Sequence, residues 1–351
     1  MRSGAPLDEP TTADARAAAS VALDREVRGV TRILEGVNAL FRIRLADGER
    51  AVLKAPRYAT DEAFLVEPLL LSRIGAETTV PVPRVLATVA AAEGPLDTAF
   101  YVMEHLDGRV VPAAVDLPAA THETLVREAA GHLAAVHDCS VALDWGDVSG
   151  VDGDLTVTDP DDSWRETFER LTDDVVTALG GTGPLADDDS RFADLAPDVR
   201  AALTGPASPL AEAAPEPSLV LGDYRPANLV LAERKDADPL VRGVVDVGGL
   251  VGDGLLDVAM AEDALVDTPY GGTERAELLR RAFRDAYADA RGRDPERLFD
   301  DRYPCYRLYA RADRLSALDY LAQFAREEDS DAVAHRWRGF VEERLSEIPG
   351  E

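Results

Sequence analysis

The sequence predicts an α+β chain of two lobes: an N-terminal antiparallel sheet with one inserted helix over residues 1–106, and a larger, mainly helical C-terminal lobe over 107–351. Three observations predict it. Short runs rich in β-branched and aromatic residues, with turn signals between them, crowd the N-terminal part. Helical spacing of apolar residues dominates from Thr121 onward. Asp107-Gly108 stands between the two regimes as a hinge.

The elements follow in order. Thr12 to Arg28 reads as a helix capped by Thr12, with Val21, Leu23 and Val27 on one face. Strands are expected at Gly29 to Gly36, Ala39 to Leu45 and Arg50 to Ala55. Asn38 lies in the first connection, and Asp47-Gly48 marks a tight hairpin in the second. Thr60 to Ile74 returns to helical spacing, with Phe64, Leu70, Leu71 and Ile74 on one side; Pro68 delays or kinks that helix. Pro81-Val82-Pro83 forces an extended entry into a strand from Arg84 to Val89, and Ala99 to Glu104 completes the sheet. In the second lobe, Thr121 to His137 and Trp164 to Ala178 are helices. Gly180 to Pro217 reads as a loop holding one short helix, Pro197 to Leu203. Ser218 to Leu221, Asn228 to Ala232 and Val241 to Val245 are β-like. Helices return at Leu255 to Asp267, Thr273 to Ala290, Tyr306 to Ala325 and Asp331 to Leu345.

Composition narrows the function classes. Asp and Glu number 66 against 37 Lys and Arg, and the net charge is −29. Lys54 and Lys235 are the only lysines. Such a surface repels nucleic acid and anionic membranes, so neither is an expected partner. The acids are spread along the whole chain, as in halophilic proteins, whose acidic surfaces stay hydrated where charge is screened. A surface tuned to a cationic substrate is the other reading. Cys139 and Cys305 make neither a metal spacing nor a disulfide framework, which leaves them as small core residues. Met1 to Ala19 lacks the apolar run of a signal peptide. No window approaches the ~18 uninterrupted apolar residues of a membrane span. A soluble, cytoplasmic protein of unspecified oligomeric state is expected.

Chemistry concentrates in Leu221-Gly222-Asp223-Tyr224-Arg225-Pro226-Ala227-Asn228 and in Val244-Val245-Asp246. Asp223 follows one apolar strand, Asn228 precedes the next, and Asp246 ends a third. A carboxylate at the end of an apolar strand is costly to bury unpaired, and a metal ion compensates it. Phosphoryl transfer from ATP needs these groups: hard oxygen ligands for Mg²⁺, a carboxylate to orient the acceptor hydroxyl, and a cation on the donor phosphates. Lys54, one of only two lysines, ends the apolar run Ala51-Val52-Leu53-Lys54.

The stretch resembles the catalytic loop and metal-binding segment of the aminoglycoside phosphotransferase family, whose fold is similar to that of protein kinases. The family pattern is roughly H-G-D-x-x-x-x-N, then an apolar strand ending in Asp. The resemblance implies that Asp223 is the catalytic base, that Arg225 faces the transferred phosphoryl, and that Asn228 and Asp246 bind Mg²⁺. Lys54 resembles the strand lysine on the α- and β-phosphates, and Glu67 the helix glutamate that pairs with it. Gly36, Val37 and Asn38 sit where the family's nucleotide loop crosses the phosphates. Tyr101-Val102-Met103-Glu104-His105-Leu106-Asp107-Gly108 resembles the hinge, where backbone groups of Glu104 and Leu106 bond the adenine edge. Residues 1–106 are then a nucleotide-binding lobe and 107–351 a catalytic and substrate-binding lobe. Asp253 and Asp257 fall where they brace the catalytic loop, while His132 and His137 fall in packing positions. Two positions depart from the pattern: Leu221 replaces the motif histidine, and Val247 follows Asp246 where an aromatic is common.

The implied activity is an ATP·Mg²⁺-dependent small-molecule kinase acting on a hydroxyl. In the family, the acceptor is gripped by the C-terminal helices and by the insertion before the catalytic loop. Here those segments carry Trp164, the run Asp159 to Ser163, Tyr303, Tyr306, Arg307, Tyr309, Arg311, Asp313 and Tyr320. Tyr306, Tyr309 and Asp313 share a helical face that suits a cation, or serves as core. A nucleotide-binding regulatory protein weakened at Leu221 is the alternative function. A protein kinase fits less well, because the nucleotide loop holds a single glycine and the insertion is long and acidic.

Overall fold

The computed structural model describes residues 7, 9–34, 36, 38–57, 61–111, 117–139, 144–151, 153–182, 190–211, 213, 215–234, 237–318 and 330–348. The first helix, α1 (Thr12–Leu23), is capped by Thr11 rather than Thr12: the Thr11 side chain accepts from the Asp14 N–H, and Asp14 answers from its own carboxylate. It also stops earlier than expected. Asp24 takes the left-handed conformation, φ 49°, and closes the helix before β1 (Val27–Ile33) begins. β2 (Ala39–Leu45) and β3 (Arg50–Ala55) continue the sheet. The next helix is broken at Leu65 into α2 (Asp61–Phe64) and α3 (Val66–Glu77), so Pro68 lies in the first turn of α3, where its missing N–H costs nothing. β4 (Val85–Val89) and β5 (Phe100–Glu104) complete an antiparallel sheet of order β1-β2-β3-β5-β4.

Each face of this sheet is covered, which explains why its central strands read as continuous apolar runs. Ala15, Ala18 and Ala19 of α1 bring that helix close over Phe41, Ile43, Leu53, Phe100 and Val102. On the other face, Leu70, Leu71 and Ile74 of α3 pack with Val52, Tyr101 and Met103. Lys54 shares a face with Val52 and alternates with Leu53 along β3, so its side chain points to the α3 face.

The chain then enters β6 (Arg109–Val110), a short strand absent from the sequence expectation. Gly108 precedes it with φ 154°, and a Cβ there would meet the Leu231 carbonyl at 2.3 Å. α4 (Ala119–His137) follows. The insertion holds a second unexpected feature, the hairpin of β7 (Gly146–Val151) and β8 (Asp154–Val157). α5 (Trp164–Leu179) and α6 (Ala196–Thr204) come next, then β9 (Pro217–Val220), β10 (Leu229–Leu231), β11 (Val241–Val244) and β12 (Leu250–Asp253). β12 was not expected, because four buried residues beside Gly248-Gly249 show no alternation. It pairs with β9 and β7, while β10 pairs with β6 and β11.

α7 (Gly254–Glu262) runs into a π-helical turn at Asp263–Asp267 and then α8 (Thr268–Tyr270). α9 (Glu274–Ala290), α10 (Pro295–Leu298), α11 (Tyr303–Ser316) and α12 (Ser330–Glu347) finish the chain. α11 starts three residues before its expected start and ends at Ser316; the rest of the expected helix to Ala325 falls largely outside the described residues. α4 packs on α9, and α11 on α5, α7 and α12. No helix among the described residues is long and apolar enough to cross a membrane. Cys139 and Cys305 are both buried and unbridged.

Candidate active site

Lys54 Nζ lies 2.5 Å from Glu67 Oε2 and 2.5 Å from Asp246 Oδ1. β3 supplies the lysine, α3 the glutamate, and the turn after β11 the aspartate. Burial alone would lower the Lys54 ammonium's pKa, but Glu67 and Asp246 together hold it above the ordinary value. Glu67 is pushed up by burial and by Asp246, against the pull of Lys54. One ammonium therefore serves two carboxylates, leaving the trio net negative in a sheltered place. Asp246 adopts φ 59°, which turns its side chain back towards Lys54 at the end of the strand.

The facing loop is built by a sharp turn. Gly222 takes φ 74°, a conformation glycine adopts freely, and releases Asp223 from the end of β9. Arg225 Nε pairs with Asp223 Oδ1 at 2.9 Å. The Asn228 amide donates to Asp223 Oδ2 at 2.9 Å and to the Asp223 carbonyl at 3.0 Å. That leaves Asn228 Oδ1 as a hard oxygen for a cation. Burial raises the Asp223 carboxyl's pKa, opposed by Arg225 and Arg314, with Asp246 pushing the same way as burial.

Leu221, at the motif histidine's position, is buried in the core. Support for the loop comes from Asp257 on α7. Its Oδ2 accepts from the Leu221 N–H at 2.8 Å and its Oδ1 from the Gly222 N–H at 2.9 Å. His137 Nε2 lies 3.4 Å from Asp257 Oδ2, and its Nδ1 lies 2.8 Å from the Tyr287 hydroxyl. His132 pairs with the Tyr224 hydroxyl at 2.8 Å. Asp253 caps α7 through the Leu255 N–H and accepts from Arg302 and Tyr306. Val247 is buried, and Gly248 lets the two loops touch: a Cβ there would meet the Leu221 carbonyl at 2.9 Å.

The remaining expected residues fall as follows. Glu104 ends β5, and its N–H is taken by the Arg84 carbonyl at 2.9 Å. Leu106 makes no hydrogen bond with the described residues, so its backbone groups are open to a ligand edge. It packs over Gly243 of β11, where any Cβ would meet Leu106 Cδ1 at 2.0 Å. Gly36 is exposed with φ 94° and Asn38 is half-buried; Val37 and Tyr320 lie outside the described residues.

Most of the residues expected to grip an acceptor are interior instead. Trp164 Nε1 donates to the Tyr306 hydroxyl at 2.8 Å, and that hydroxyl donates to Asp253 at 2.8 Å. Tyr303 donates to Glu262. Arg307 and Arg311 belong to a buried ionic layer. In it Glu262, Asp263 and Asp267, from the end of α7 and the π-turn, face Arg280 and Arg284 of α9, Arg307, Arg311 and Arg314 of α11, and Arg344 of α12. A π-turn shifts side-chain phase by about one residue, which aims both aspartates inward. This layer fixes α11 and so places Asp313 and Arg314. Burial pushes the Asp313 carboxyl up to about 6, and Asp223 adds to that push. A cavity of about 170 Å³ lies beside the loop, lined by Leu221, Gly222, Met260, Tyr309 and Asp147 among others. Arg314 and the ionic layer were not foreseen, because both depend on the π-turn.

The model of the phosphotransferase enzyme family matches residues 29–299. The chain belongs to the phosphotransferase enzyme family. No curated protein matches it by sequence. Its fold is similar to that of an aminoglycoside phosphotransferase, APH(4)-Ia, in a ternary complex with AMP-PNP and hygromycin B: TM-score 0.62 and 17% identity, over 97% of this chain and 100% of that one. A Ralstonia eutropha protein provisionally described as an aminoglycoside phosphotransferase gives 0.62 and 18%, over 97% and 99%. An ethanolamine kinase of Plasmodium vivax gives 0.58 and 10%, over 91% and 84%. The family's fold is the bilobed, protein-kinase-like one, so the expected fold class holds. In this phosphotransferase Lys54 of the sheet bonds Asp246, and the charge of Asp246 acts on Asp223 of the facing loop.

Proposed function

We propose that the chain transfers the γ-phosphoryl group of ATP·Mg²⁺ to a hydroxyl of a small molecule. The observation that carries this reading is the convergence of Lys54, Glu67 and Asp246 opposite Asp223 and Asn228. Lys54 holds the α- and β-phosphates and Glu67 holds Lys54. Leu106 offers its free backbone groups to the adenine edge, together with Glu104, and Gly36 and Asn38 border the phosphates. Asn228 Oδ1 and Asp246 are hard oxygen donors, and one carboxylate plus an amide suits Mg²⁺, which takes its other ligands from phosphates and water. When bound, Mg²⁺ neutralises the donor phosphates.

Asp223 orients the acceptor hydroxyl and receives its proton. The acceptor oxygen bonds to the γ-phosphorus as the bond to the β,γ-bridging oxygen breaks, leaving ADP. The raised pKa of Asp223 makes it a better proton acceptor than an ordinary carboxylate. Arg225, held 2.9 Å from Asp223, faces the transferred phosphoryl. Asp313, Tyr309 and Asp147 line the acceptor's side. The similar folds of an aminoglycoside phosphotransferase bound to hygromycin B and of an ethanolamine kinase support a small hydroxyl compound as acceptor class. The two bonds that Asp257 accepts from the Leu221 and Gly222 N–H groups speak against a loop disabled by Leu221. A panel of small alcohols with γ-labelled ATP in high-salt buffer tests the reading. Label transfer to an acceptor supports it, whereas nucleotide binding without transfer across a broad panel would favour a regulatory protein.

A further inference from the structure

Tyr101 sits opposite Lys54 in the β3–β5 register and is fully buried. Its ring packs on Phe64, centroid to centroid at 5.5 Å. Its hydroxyl lies within reach of Glu67, and neither it nor Glu67 Oε1, the oxygen that Lys54 leaves unused, completes a well-formed hydrogen bond. The two groups are neighbours: burial and then Glu67 push the Tyr101 phenol well above its ordinary range. One is a donor and the other only an acceptor. A buried hydroxyl left unbonded is costly, and phenylalanine would fill the same ring space without that cost.

We propose that Tyr101 is a positioning residue for the nucleotide site, its hydroxyl donating to Glu67 Oε1 once ATP·Mg²⁺ is bound. The proposal rests on the phosphoryl-transfer reading above. Asp246 occupies Lys54 in this structure and must leave it to serve a metal. Lys54 then keeps Glu67 as its anchor, and a carboxylate held at only one oxygen can rotate away. A bond from Tyr101 to the second oxygen fixes the carboxylate plane and keeps Lys54 on the donor phosphates. The tyrosine touches neither phosphate nor acceptor and acts through Glu67.

The test compares wild type, Tyr101→Phe, Glu67→Ala and the double variant by calorimetric titration with ATP·Mg²⁺ and with adenosine, alongside thermal unfolding. Tyr101→Phe is expected to weaken ATP·Mg²⁺ binding about tenfold, with adenosine affinity and melting temperature unchanged. In the Glu67→Ala background the same change is expected to have no further effect. Equal ATP·Mg²⁺ affinity in wild type and Tyr101→Phe overturns the proposal and leaves the phosphoryl-transfer reading standing. So does a matched loss for adenosine with a lowered melting temperature, which marks a packing role. Wild type that fails to bind ATP·Mg²⁺ overturns both.

Discussion

Lys54 and Asp246, 192 residues apart in sequence, meet at 2.5 Å across the cleft. The contact ties the sheet to the loop after β11 and uses the same carboxylate that the proposed mechanism gives to Mg²⁺. On the proposed mechanism Asp246 has two alternative partners, Lys54 and Mg²⁺, and binding of ATP·Mg²⁺ would exchange one for the other. Its side chain, 48% exposed, has room for that exchange, while Lys54 at 4% does not move far from Glu67.

Asp246→Ala should abolish the dependence of ATP affinity on Mg²⁺ and leave the chain folded, because Lys54 keeps Glu67. Titration with ATP in the presence and absence of Mg²⁺ reads this directly. An unchanged Mg²⁺ effect in the variant would remove Asp246 from the metal site.

Asp223→Asn should lower kcat by about 10²–10⁴-fold, the usual worth of a positioned general base, with little change in ATP affinity. An amide keeps the loop's shape but cannot take the acceptor's proton. Steady-state kinetics with any confirmed acceptor decides it, and turnover at the wild-type rate would rule out the assignment.

Local pattern made parts of this molecule legible in the sequence. The run from Leu221 to Asn228 and the strand-end Asp246 carry their chemistry within a few residues, and β2 alternates cleanly. What stayed hidden depends on distant partners. α1 is shorter than its spacing predicts: nothing in Asp24-Arg25-Glu26 breaks a helix as proline would, and the left-handed turn at Asp24 forms where the helix gives way to β1. The β7–β8 hairpin is poor in apolar residues on its outer face, and β12 is too short to show a period. The arginines of α11 looked like an acceptor surface. The π-turn at Asp263–Asp267, which no spacing announces, makes most of them internal.

Asp267→Asn should cost about 3–5 kcal/mol, because it leaves buried arginines without their shared counter-ion. Burial alone would raise the Asp267 carboxyl's pKa, yet Arg307, Arg280 and Arg344 hold it well below the usual range. A depressed carboxyl contributes stability above its unfolded pKa and loses it as pH falls through the folded one. Wild type should thus show the advantage over Asp267→Asn at pH 5–7, shrinking below about pH 4. Urea midpoints for the two proteins over that range check it, and equal midpoints at neutral pH would show the layer to be dispensable.

Asp313 gives the opposite slope. Burial raises its carboxyl to about 6 from an ordinary 3.8, so between those values the folded chain holds a proton that the unfolded chain has lost. Its contribution is full below the unfolded pKa and disappears as pH rises through about 6. Wild type should lose stability from this group as pH climbs from about 4 to 6, whereas Asp313→Asn, neutral throughout, should not. The difference between the two unfolding midpoints, plotted against pH, should change across that interval and level off above it. A constant difference would mean that Asp313 ionises as freely in the folded chain as in the unfolded one. The same ionisation brings a negative charge to the acceptor's side near Asp223, so the KM of a cationic acceptor should fall over the same interval in wild type alone. A neutral acceptor should show no such dependence, which separates the effect of Asp313 on binding from its effect on folding.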